Sequence, residues 1–217
     1  QIDFQREKDV TVEIVDDQII EVTGQIFDDP NGYDDNRGGS GEGGYHMKFS
    51  SHTGILQNNG ETLTSGSKLN IENSTSFTLI ASAATDYSIE KMNFDRSIDP
   101  RKSSMATLHA ALQVPYDEIK TKHIAEHSGI FNRVELEIQS DSPDSLSTGE
   151  RLERLAEGAE DVGLEQLFFQ YGRYLMMSSG MRRSVLPANL QGIWSQKMWA
   201  PWESDFHLNI NLQMNYW

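Results

Sequence analysis

The sequence predicts a multidomain α+β protein in which antiparallel β-structure comes first and helices follow. Short segments of alternating polar and apolar residues, separated by Gly, Asn, Ser and Asp, occupy most of the first hundred residues. Near Asp99 the apolar residues change to helical spacing. The 217 residues, of which 37% are hydrophobic and 24% charged, are enough for one large or two small packed domains.

The β part begins with a predicted hairpin. Asp16-Asp17 is expected to turn the chain between two short runs of apolar residues, namely Val10, Val12 and Ile14 before it and Ile19, Ile20 and Val22 after it. Further strands are predicted over 45–49, 68–71 and 77–81. We therefore assign residues 1–98 to part of an antiparallel β-sandwich.

Residues 99–150 are predicted to form a helical linker. Asp99-Pro100 has the form of an N-cap followed by a first-turn proline, and Pro115 should end this helix before a second one starts at Tyr116. One more strand is predicted over 134–138, followed by a polar loop. A capping box, Ser147-x-x-Glu150, then marks the start of another helix.

Residues 151–217 include the most strongly patterned helix, over 161–179. Asp161 is expected to cap it, and Gly180 should lie just past its end. Its apolar stripe consists of Leu164, Leu167, Phe168, Tyr171, Tyr174 and Leu175. Two or three helices cannot bury so much aromatic surface, and residues 215–217 resemble a helix interior. We therefore expect further helical chain to belong with this region.

Composition and charge restrict the function. The chain has 33 acidic and 18 basic side chains, and its formal net charge of −15 disfavours nucleic acid as a partner. No apolar stretch of about 20 residues is present, so a membrane span is not expected. Cysteine is absent, which removes disulfides and thiolate chemistry. The sequence begins with Gln1 and shows no signal peptide, which leaves the compartment open.

Three motifs suggest cofactors or metals only weakly, and we predict neither. Gly39-x-Gly41-x-x-Gly44 matches a dinucleotide fingerprint in letters, but a strand is expected after it instead of a helix. His123 and His127 have zinc-chelating spacing without a third ligand, so packing or surface histidines are favoured. The acidic stretch 28–36 lacks the spacing of a calcium loop and is expected to be solvated.

The final segment concentrates aromatic and amide side chains. All four Trp residues, at 194, 199, 202 and 217, fall within 194–217, close to Asn189-x-Gln191. Indole rings next to amides are typical of carbohydrate sites, where apolar sugar faces stack on rings and hydroxyls meet amides. A Trp-rich seam between helices is the alternative, and the residues alone leave both open.

A strict polar/apolar alternation runs from Asp205 to Leu212. In an extended backbone it places Asp205, His207, Asn209 and Asn211 on one side, whereas a helix would separate the two Asn by about 200°. We therefore predict an extended segment up to Asn211, which could cap a helix starting at Leu212. The polar row would line one cavity; a solvent-facing edge strand is the alternative.

Several blocks of this chain resemble glycoside hydrolase family 95. The resemblance is dense over 116–217 and weak over 1–115. It rests on Phe169-Gln170-Tyr171-Gly172-Arg173-Tyr174-Leu175, on 186–194 (Leu-Pro-Ala-Asn-Leu-Gln-Gly-Ile-Trp), and on 209–217 (Asn-Ile-Asn-Leu-Gln-Met-Asn-Tyr-Trp). By resemblance, the chain is an internal segment of a bacterial α-L-fucosidase: part of a β-sandwich, a helical linker and the first helices of an (α/α)6 barrel, located in the periplasm or secreted.

The resemblance also implies residue roles. Asn209 and Asn211 match the pair that holds the nucleophilic water for inverting hydrolysis of terminal α-L-fucose, mostly α-1,2-linked. The general acid and base would lie beyond Trp217, in the remainder of the polypeptide, although Glu203 or Asp205 could serve if the chain were complete. Substrate contacts are expected from His207, which favours fucose over galactose, and from Trp194, Trp202, Asn189 and Gln191. An α-L-galactosidase and a non-catalytic carbohydrate-binding protein remain alternatives.

Overall fold

A computed structural model describes residues 9–27, 45–138, 145–180, 184–195 and 200–216. Within the chain, two compact units comprise residues 1–123 and 124–217. The Gly39–Gly44 motif, the acidic stretch 28–36 and most of the polar loop after residue 138 lie outside the described residues. The proposed division at residues 98 and 150 stays a prediction.

The first unit contains antiparallel β-structure, as predicted. Its main sheet has the strand order β1-β2-β3-β6, and two hairpins are formed by β4 with β5 and by β7 with β8. The strands are β1 (Val10–Val15), β2 (Ile19–Phe27), β3 (Tyr45–Asn58), β4 (Glu61–Ser65), β5 (Lys68–Glu72), β6 (Phe77–Thr85), β7 (Tyr87–Ser88) and β8 (Asn93–Phe94).

The predicted β1–β2 hairpin is confirmed. Its register places Val12 opposite Val22, so apolar side chains pair directly across the two strands. Asp16 and Asp17 adopt φ values of 52° and 57°. Aspartate tolerates this left-handed conformation better than most residues, and it matches the right-handed twist of the strands.

Both faces of the main sheet are covered. Ile20 and Val22 on one face form a core with Leu69 of β5. The other face is covered by α1 (Pro100–Leu112), whose Leu108 is fully buried. At Gly54, where α1 crosses the sheet, a Cβ atom would lie 3.3 Å from Leu108. Because both faces are covered, four consecutive residues of β2, from 19 to 22, are buried.

The interface between the sheet and α1 also contains a buried polar cluster. His52 Nε2 lies 2.7 Å from Glu21 Oε2, and His52 Nδ1 lies 2.8 Å from Ser104 Oγ. The Nε of Arg101 donates to the same Glu21 oxygen at 2.7 Å. Each buried polar side chain of this cluster, namely His52, Glu21 and Ser104, therefore has a partner.

The linker helices form as predicted. The Asp99 side chain caps α1 by accepting from the Lys102 N–H, and Pro100 occupies the first turn. The helix α2 (Tyr116–Phe131) begins directly after Pro115. In α3 (Thr148–Ala156), Ser147 and Glu150 form the reciprocal capping box. Hydrogen bonds from the side chain and backbone of Ser147 hold the pKa of the Glu150 carboxyl below its usual value.

The strand predicted over 134–138 is wrong, since this stretch has no regular structure. Side chains of α4 (Val162–Gly180) bond its backbone instead of a neighbouring strand. The Gln166 Oε1 accepts from the Ile138 N–H at 2.9 Å, and Arg173 donates to the Val134 carbonyl at 2.9 Å. The alternation of polar and apolar residues in this stretch therefore does not indicate a strand, because its backbone bonds to side chains of α4.

The helix α4 confirms the predicted helix, with Gly180 as its last residue instead of the residue after it. Asp161 caps it by accepting from the Leu164 N–H and is paired twice with Arg151, at 2.7 and 2.8 Å. Of the predicted apolar stripe only Leu164 is buried, whereas Phe168 is 80% exposed. The described residues of this unit thus supply no layer opposite the stripe. In the described part of the chain, no helix is both long and apolar enough to cross a membrane.

Candidate functional site

The predicted site residues lie in three consecutive segments of the second unit. These are a turn within 184–195, a loop over 200–207, and α5 (Asn211–Tyr216) with the turn that precedes it. Trp199 and Trp217 lie outside the described residues. Ala188, in the first of these segments, is buried, with 3% of its surface exposed.

The turn after Ala188 is stabilised by its own amides. The Asn189 Oδ1 accepts from the Gln191 N–H at 3.2 Å, and the Asn189 carbonyl accepts from the Gly192 N–H at 3.3 Å. Gly192 has φ 57°, and a Cβ atom there would lie 3.0 Å from the Ser179 side chain. Glycine is therefore required both for this backbone conformation and for the close approach to the end of α4.

Two hydrogen bonds join this turn to the following loop. The Gln191 Nε2 donates to the Pro201 carbonyl, and the Leu190 N–H donates to the Asp205 carbonyl, both at 3.0 Å. The Gln191 Oε1 is buried and has no hydrogen-bond partner among the described residues. A buried acceptor of this kind is available for a hydroxyl or a water.

The loop carries a run of unusual backbone conformations. Trp202, Glu203, Ser204 and His207 all have positive φ, between 49° and 55°. Non-glycine residues in this region are strained, and such residues cluster at functional sites. The indole of Trp202 meets the His207 ring edge-on, with centroids 5.9 Å apart and planes at 77°. Two of the five residues that are predicted to contact substrate are thus in contact with each other.

The segment with the Asn pair is not extended, which corrects the prediction from its alternation. Leu208–Ile210 form a turn, and α5 starts at Asn211 itself, so Asn211 is not a cap before Leu212. The Leu212 N–H donates to the His207 carbonyl at 3.3 Å, and the Met214 N–H donates to the Ile210 carbonyl at 2.9 Å. These local hydrogen bonds are typical of a turn that leads into a helix, and an extended strand would not form them.

Both Asn209 and Asn211 are exposed, as are Leu208 and Ile210, which alternation assigned to a buried face. Both residues are therefore accessible to solvent. Trp194 is also exposed, by 48%. Their shared lining of one cavity, and the substrate roles of His207, Trp194, Trp202, Asn189 and Gln191, stay predictions.

Sequence reasoning missed two residues that build this region, Tyr216 and Gly180. The Ala188 N–H donates to the Tyr216 hydroxyl at 2.9 Å. A Cβ atom at Gly180 would lie 2.9 Å from both atoms of this hydrogen bond. The signal was a glycine at the end of the strongest helix, which was interpreted only as a helix stop.

A separate groove of about 640 Å³ lies elsewhere in the second unit. Its lining residues are Phe131, Asn132, Val134, Glu135, Leu136, Glu137, Gln166 and Gln170. Among the described lining residues Phe131 alone is aromatic, and its ring already has neighbours. Arg173 lies 4.6 Å from the ring centroid, and His127 stacks on the ring at 5.3 Å. The packing interpretation of His127 is supported by this contact. Among the described residues, no three His, Asp or Glu side chains are grouped to hold a metal ion.

Comparison with known proteins identifies relatives of this chain. The sequence model of the "Glycosyl hydrolase family 95 catalytic domain" matches residues 115–217. "Alpha-L-fucosidase 2" of Arabidopsis thaliana is 35% identical over 193 residues, which cover 85% of this chain and 22% of the relative.

Two fungal proteins named "Probable alpha-fucosidase A" are similar too. The Aspergillus oryzae protein is 36% identical over 161 residues, covering 69% of this chain and 22% of the relative. The Aspergillus niger protein is 34% identical over 148 residues, covering 64% and 18%. The chain thus spans about a fifth of the length of these curated relatives.

Proposed function

The chain belongs to glycosyl hydrolase family 95 through residues 115–217, and we propose that its protein is an exo-acting glycosidase that removes terminal α-L-fucose with inversion. The substrate would be a fucosylated oligosaccharide or glycan, most readily an α-1,2-linked one. The observation that carries this proposal is the exposed Asn209-x-Asn211 pair within the matched region. The names of the three relatives, each an alpha-fucosidase, support fucose as the sugar.

In this proposal Asn209 and Asn211 hold the water that attacks the anomeric carbon. A neutral amide donates a hydrogen bond through its nitrogen and accepts one through its oxygen. Two amides can therefore orient one water, while the proton of that water is transferred to the general base. Inverting glycosidases need two carboxyl groups roughly 6.5–9.5 Å apart, one as acid and one as base. Neither a metal nor a cofactor is needed for this reaction.

The acid and the base are proposed to come from other residues of the same polypeptide. Glu203 and Asp205 are the carboxylates nearest to the pair in sequence, and both are exposed on the strained loop. The Asp205 Oδ1 already accepts from the Phe206 N–H at 2.7 Å, which gives it a role in the local turn. Since this chain matches about a fifth of its relatives, ample chain remains in such proteins to supply both groups.

The same proposal includes an (α/α)6 barrel whose first helices lie within residues 151–217. The apolar stripe of α4, from Leu167 to Tyr174, is exposed in the described residues, and further helices would bury it. A periplasmic or secreted location for this proposed bacterial enzyme is part of the same proposal, by family resemblance.

The test is an NMR time course of the protein, as its gene encodes it, with an α-1,2-fucosylated trisaccharide. First appearance of β-L-fucose supports inversion, whereas first appearance of α-L-fucose contradicts it. The Asn209→Ala/Asn211→Ala double variant is the control for a contaminating glycosidase. Faster turnover of an α-L-galactoside would point to the galactosidase alternative. Sugar binding without turnover of either substrate would point to a carbohydrate-binding protein.

A further inference from the structure

Three segments of the second unit meet at one hydrogen bond. The Ala188 N–H, in the turn that follows α4, donates to the Tyr216 hydroxyl of α5 at 2.9 Å. Gly180, the last residue of α4, lies against both partners, because a Cβ atom there would come within 2.9 Å of each. Real Cβ contacts essentially never fall this low, so this hydrogen bond and a side chain at position 180 exclude each other.

Burial of the Tyr216 ring does not account for its position. Its side chain is 48% exposed, whereas its partner Ala188 is 3% exposed. A buried N–H without an acceptor is unfavourable, and here a side-chain hydroxyl supplies the acceptor from 28 residues away. The contact therefore has the character of an anchor between two segments and contributes little to a core.

The anchor is connected to the Asn pair through the backbone. Tyr216 lies in α5, which begins at Asn211, and the Leu212 N–H donates to the His207 carbonyl. Gln213 extends the connection, since its Nε2 donates to the Leu208 carbonyl at 2.9 Å. The turn with Asn209 and the helix with Asn211 thus form one hydrogen-bonded piece.

That piece is held at both ends by the same turn. At its start, the Asp205 carbonyl accepts from the Leu190 N–H, and at its end the Tyr216 hydroxyl accepts from the Ala188 N–H. The first bond uses backbone atoms alone, so any sequence can make it. The second requires the tyrosine hydroxyl and the absence of a side chain at Gly180.

We propose that Tyr216 is a positioning residue, whose hydroxyl fixes the orientation of Asn209 and Asn211 relative to the turn 188–194. This inference rests on the proposed hydrolysis for its kinetic consequence, but not for the anchor itself. A shift of about 1 Å in a group that positions a reactant costs roughly 100-fold in rate. Loss of the hydroxyl should therefore affect turnover more than substrate affinity.

The first experiment is Tyr216→Phe in the full-length protein, with kcat and KM measured on the α-1,2-fucosylated trisaccharide. We expect kcat to fall about 10-fold to 100-fold, with KM changed less than about 3-fold. Tyr45→Phe is the matched control, since Tyr45 is 53% exposed on β3 of the first unit and undergoes the same chemical change. An unchanged kcat in Tyr216→Phe, or an equal loss in Tyr45→Phe, overturns the proposal.

The second experiment tests whether Gly180 and Tyr216 act through one contact. Gly180→Ala should lower kcat by a similar factor, because the new methyl group displaces the hydroxyl. The double variant should be no slower than the slower single variant, since both changes break the same hydrogen bond. Multiplying effects would show that the two residues act independently, against the proposal.

Hydrogen exchange separates this inference from the proposed function. The Ala188 amide should exchange faster in Tyr216→Phe than in the wild type and in Tyr45→Phe. If the wild-type protein releases no fucose, the hydrolysis proposal fails, and the exchange rate alone decides the anchor. Faster exchange then sustains the anchor, and unchanged exchange overturns it.

Discussion

His52 Nε2 lies 2.7 Å from Glu21 Oε2 where α1 covers the main sheet, with both side chains removed from solvent. The two residues sit opposite each other on β2 and β3, so strand pairing alone brings them together. Ser104 of α1 contacts the other ring nitrogen, at 2.8 Å. A buried polar contact therefore links two strands and a helix.

Replacing His52 by Ala should destabilise the first unit strongly. The change leaves the Glu21 carboxylate without one of its partners and opens a cavity beneath α1. Breaking a buried charged contact typically costs about 3–5 kcal/mol. We expect a decrease of about 3 kcal/mol in the free energy of unfolding, measured by urea denaturation. His109→Ala, at an exposed site on α1, should change it by less than about 0.5 kcal/mol. Equal effects of the two changes would contradict this account.

The Glu21 carboxyl should also make stability depend on pH. Burial raises the pKa of this carboxyl, but hydrogen bonds from Arg101 and His52 outweigh burial, and the net pKa lies below its usual 4.5. The folded state thus binds fewer protons than the unfolded state. This stabilisation is complete above pH 4.5 and is lost as the pH falls through the lowered pKa.

The measurement is the free energy of unfolding as a function of pH between 6 and 2. Glu21→Gln should reduce the slope below pH 4.5. A second contribution comes from Asp95, where hydrogen bonds from Lys91 and then Ser97 lower the pKa to about 2. It should persist in Glu21→Gln, between pH 3.8 and 2. An unchanged slope in Glu21→Gln would show that Glu21 does not carry the effect.

Local signals in the sequence predicted much of the fold. The Asp16-Asp17 turn, the Asp99 cap and the Ser147–Glu150 capping box each act within a few residues, and each was confirmed. The failures are alternating segments, at 134–138 and within 205–211, for which the pattern alone predicts a strand. In the structure, side chains of α4 or the backbone of α5 take the hydrogen bonds that a neighbouring strand would have supplied.

The candidate site was predictable in its residue types but not in its construction. The amides and indoles of Asn189, Gln191 and Trp202 were identified from composition and resemblance. Nothing local in the sequence indicates that Tyr216 contacts Ala188, because the two are 28 residues apart. The positive φ values at Trp202 and His207 were equally hidden, since this conformation is uncommon for any residue other than glycine.

Asp161 offers a test of how much a cap and an ion pair each contribute in the second unit. Its Oδ1 caps α4 while both carboxylate oxygens bind Arg151. Asp161→Ala should lower the free energy of unfolding by about 3 kcal/mol, because it removes both hydrogen bonds between the buried Arg151 guanidinium and this carboxylate. Asp161→Asn keeps an acceptor for the cap and should cost less.

Asp99→Ala is the matched control for the cap alone. Asp99 caps α1 by a single bond to the Lys102 N–H, and its loss should cost about 1 kcal/mol. Urea denaturation of the three variants gives the ion-pair contribution as the difference between Asp161→Ala and Asp99→Ala. A difference near zero would mean that Arg151 finds other partners.

Replacing either Asn209 or Asn211 by Ala should lower turnover and leave sugar binding largely intact. If both amides hold the attacking water, each substitution removes a contact that matters chiefly in the transition state. Loss of one such group typically costs about 100-fold or more in kcat. Initial rates on the trisaccharide and calorimetric titration with L-fucose separate the two effects. Asn132→Ala, at an exposed site in the groove, should leave both unchanged. A loss of binding that matches the loss of rate would indicate a purely structural or affinity role.

His207 should determine the preference for fucose over galactose, and its backbone dictates how this is tested. By the proposed function, His207→Thr makes room for the hydroxymethyl group of galactose, and the ratio of galactoside to fucoside kcat/KM should rise about 10-fold or more. Threonine is β-branched, however, and His207 has φ 49°, so the same change also strains the loop and removes the contact with Trp202. His207→Asn separates the loop strain from the loss of the imidazole, because asparagine tolerates positive φ and is also smaller than histidine. If the ratio rises in both variants, the preference is due to the imidazole. If it rises in His207→Thr alone, loop strain or the threonine side chain is responsible. If it rises in neither variant, the prediction is contradicted.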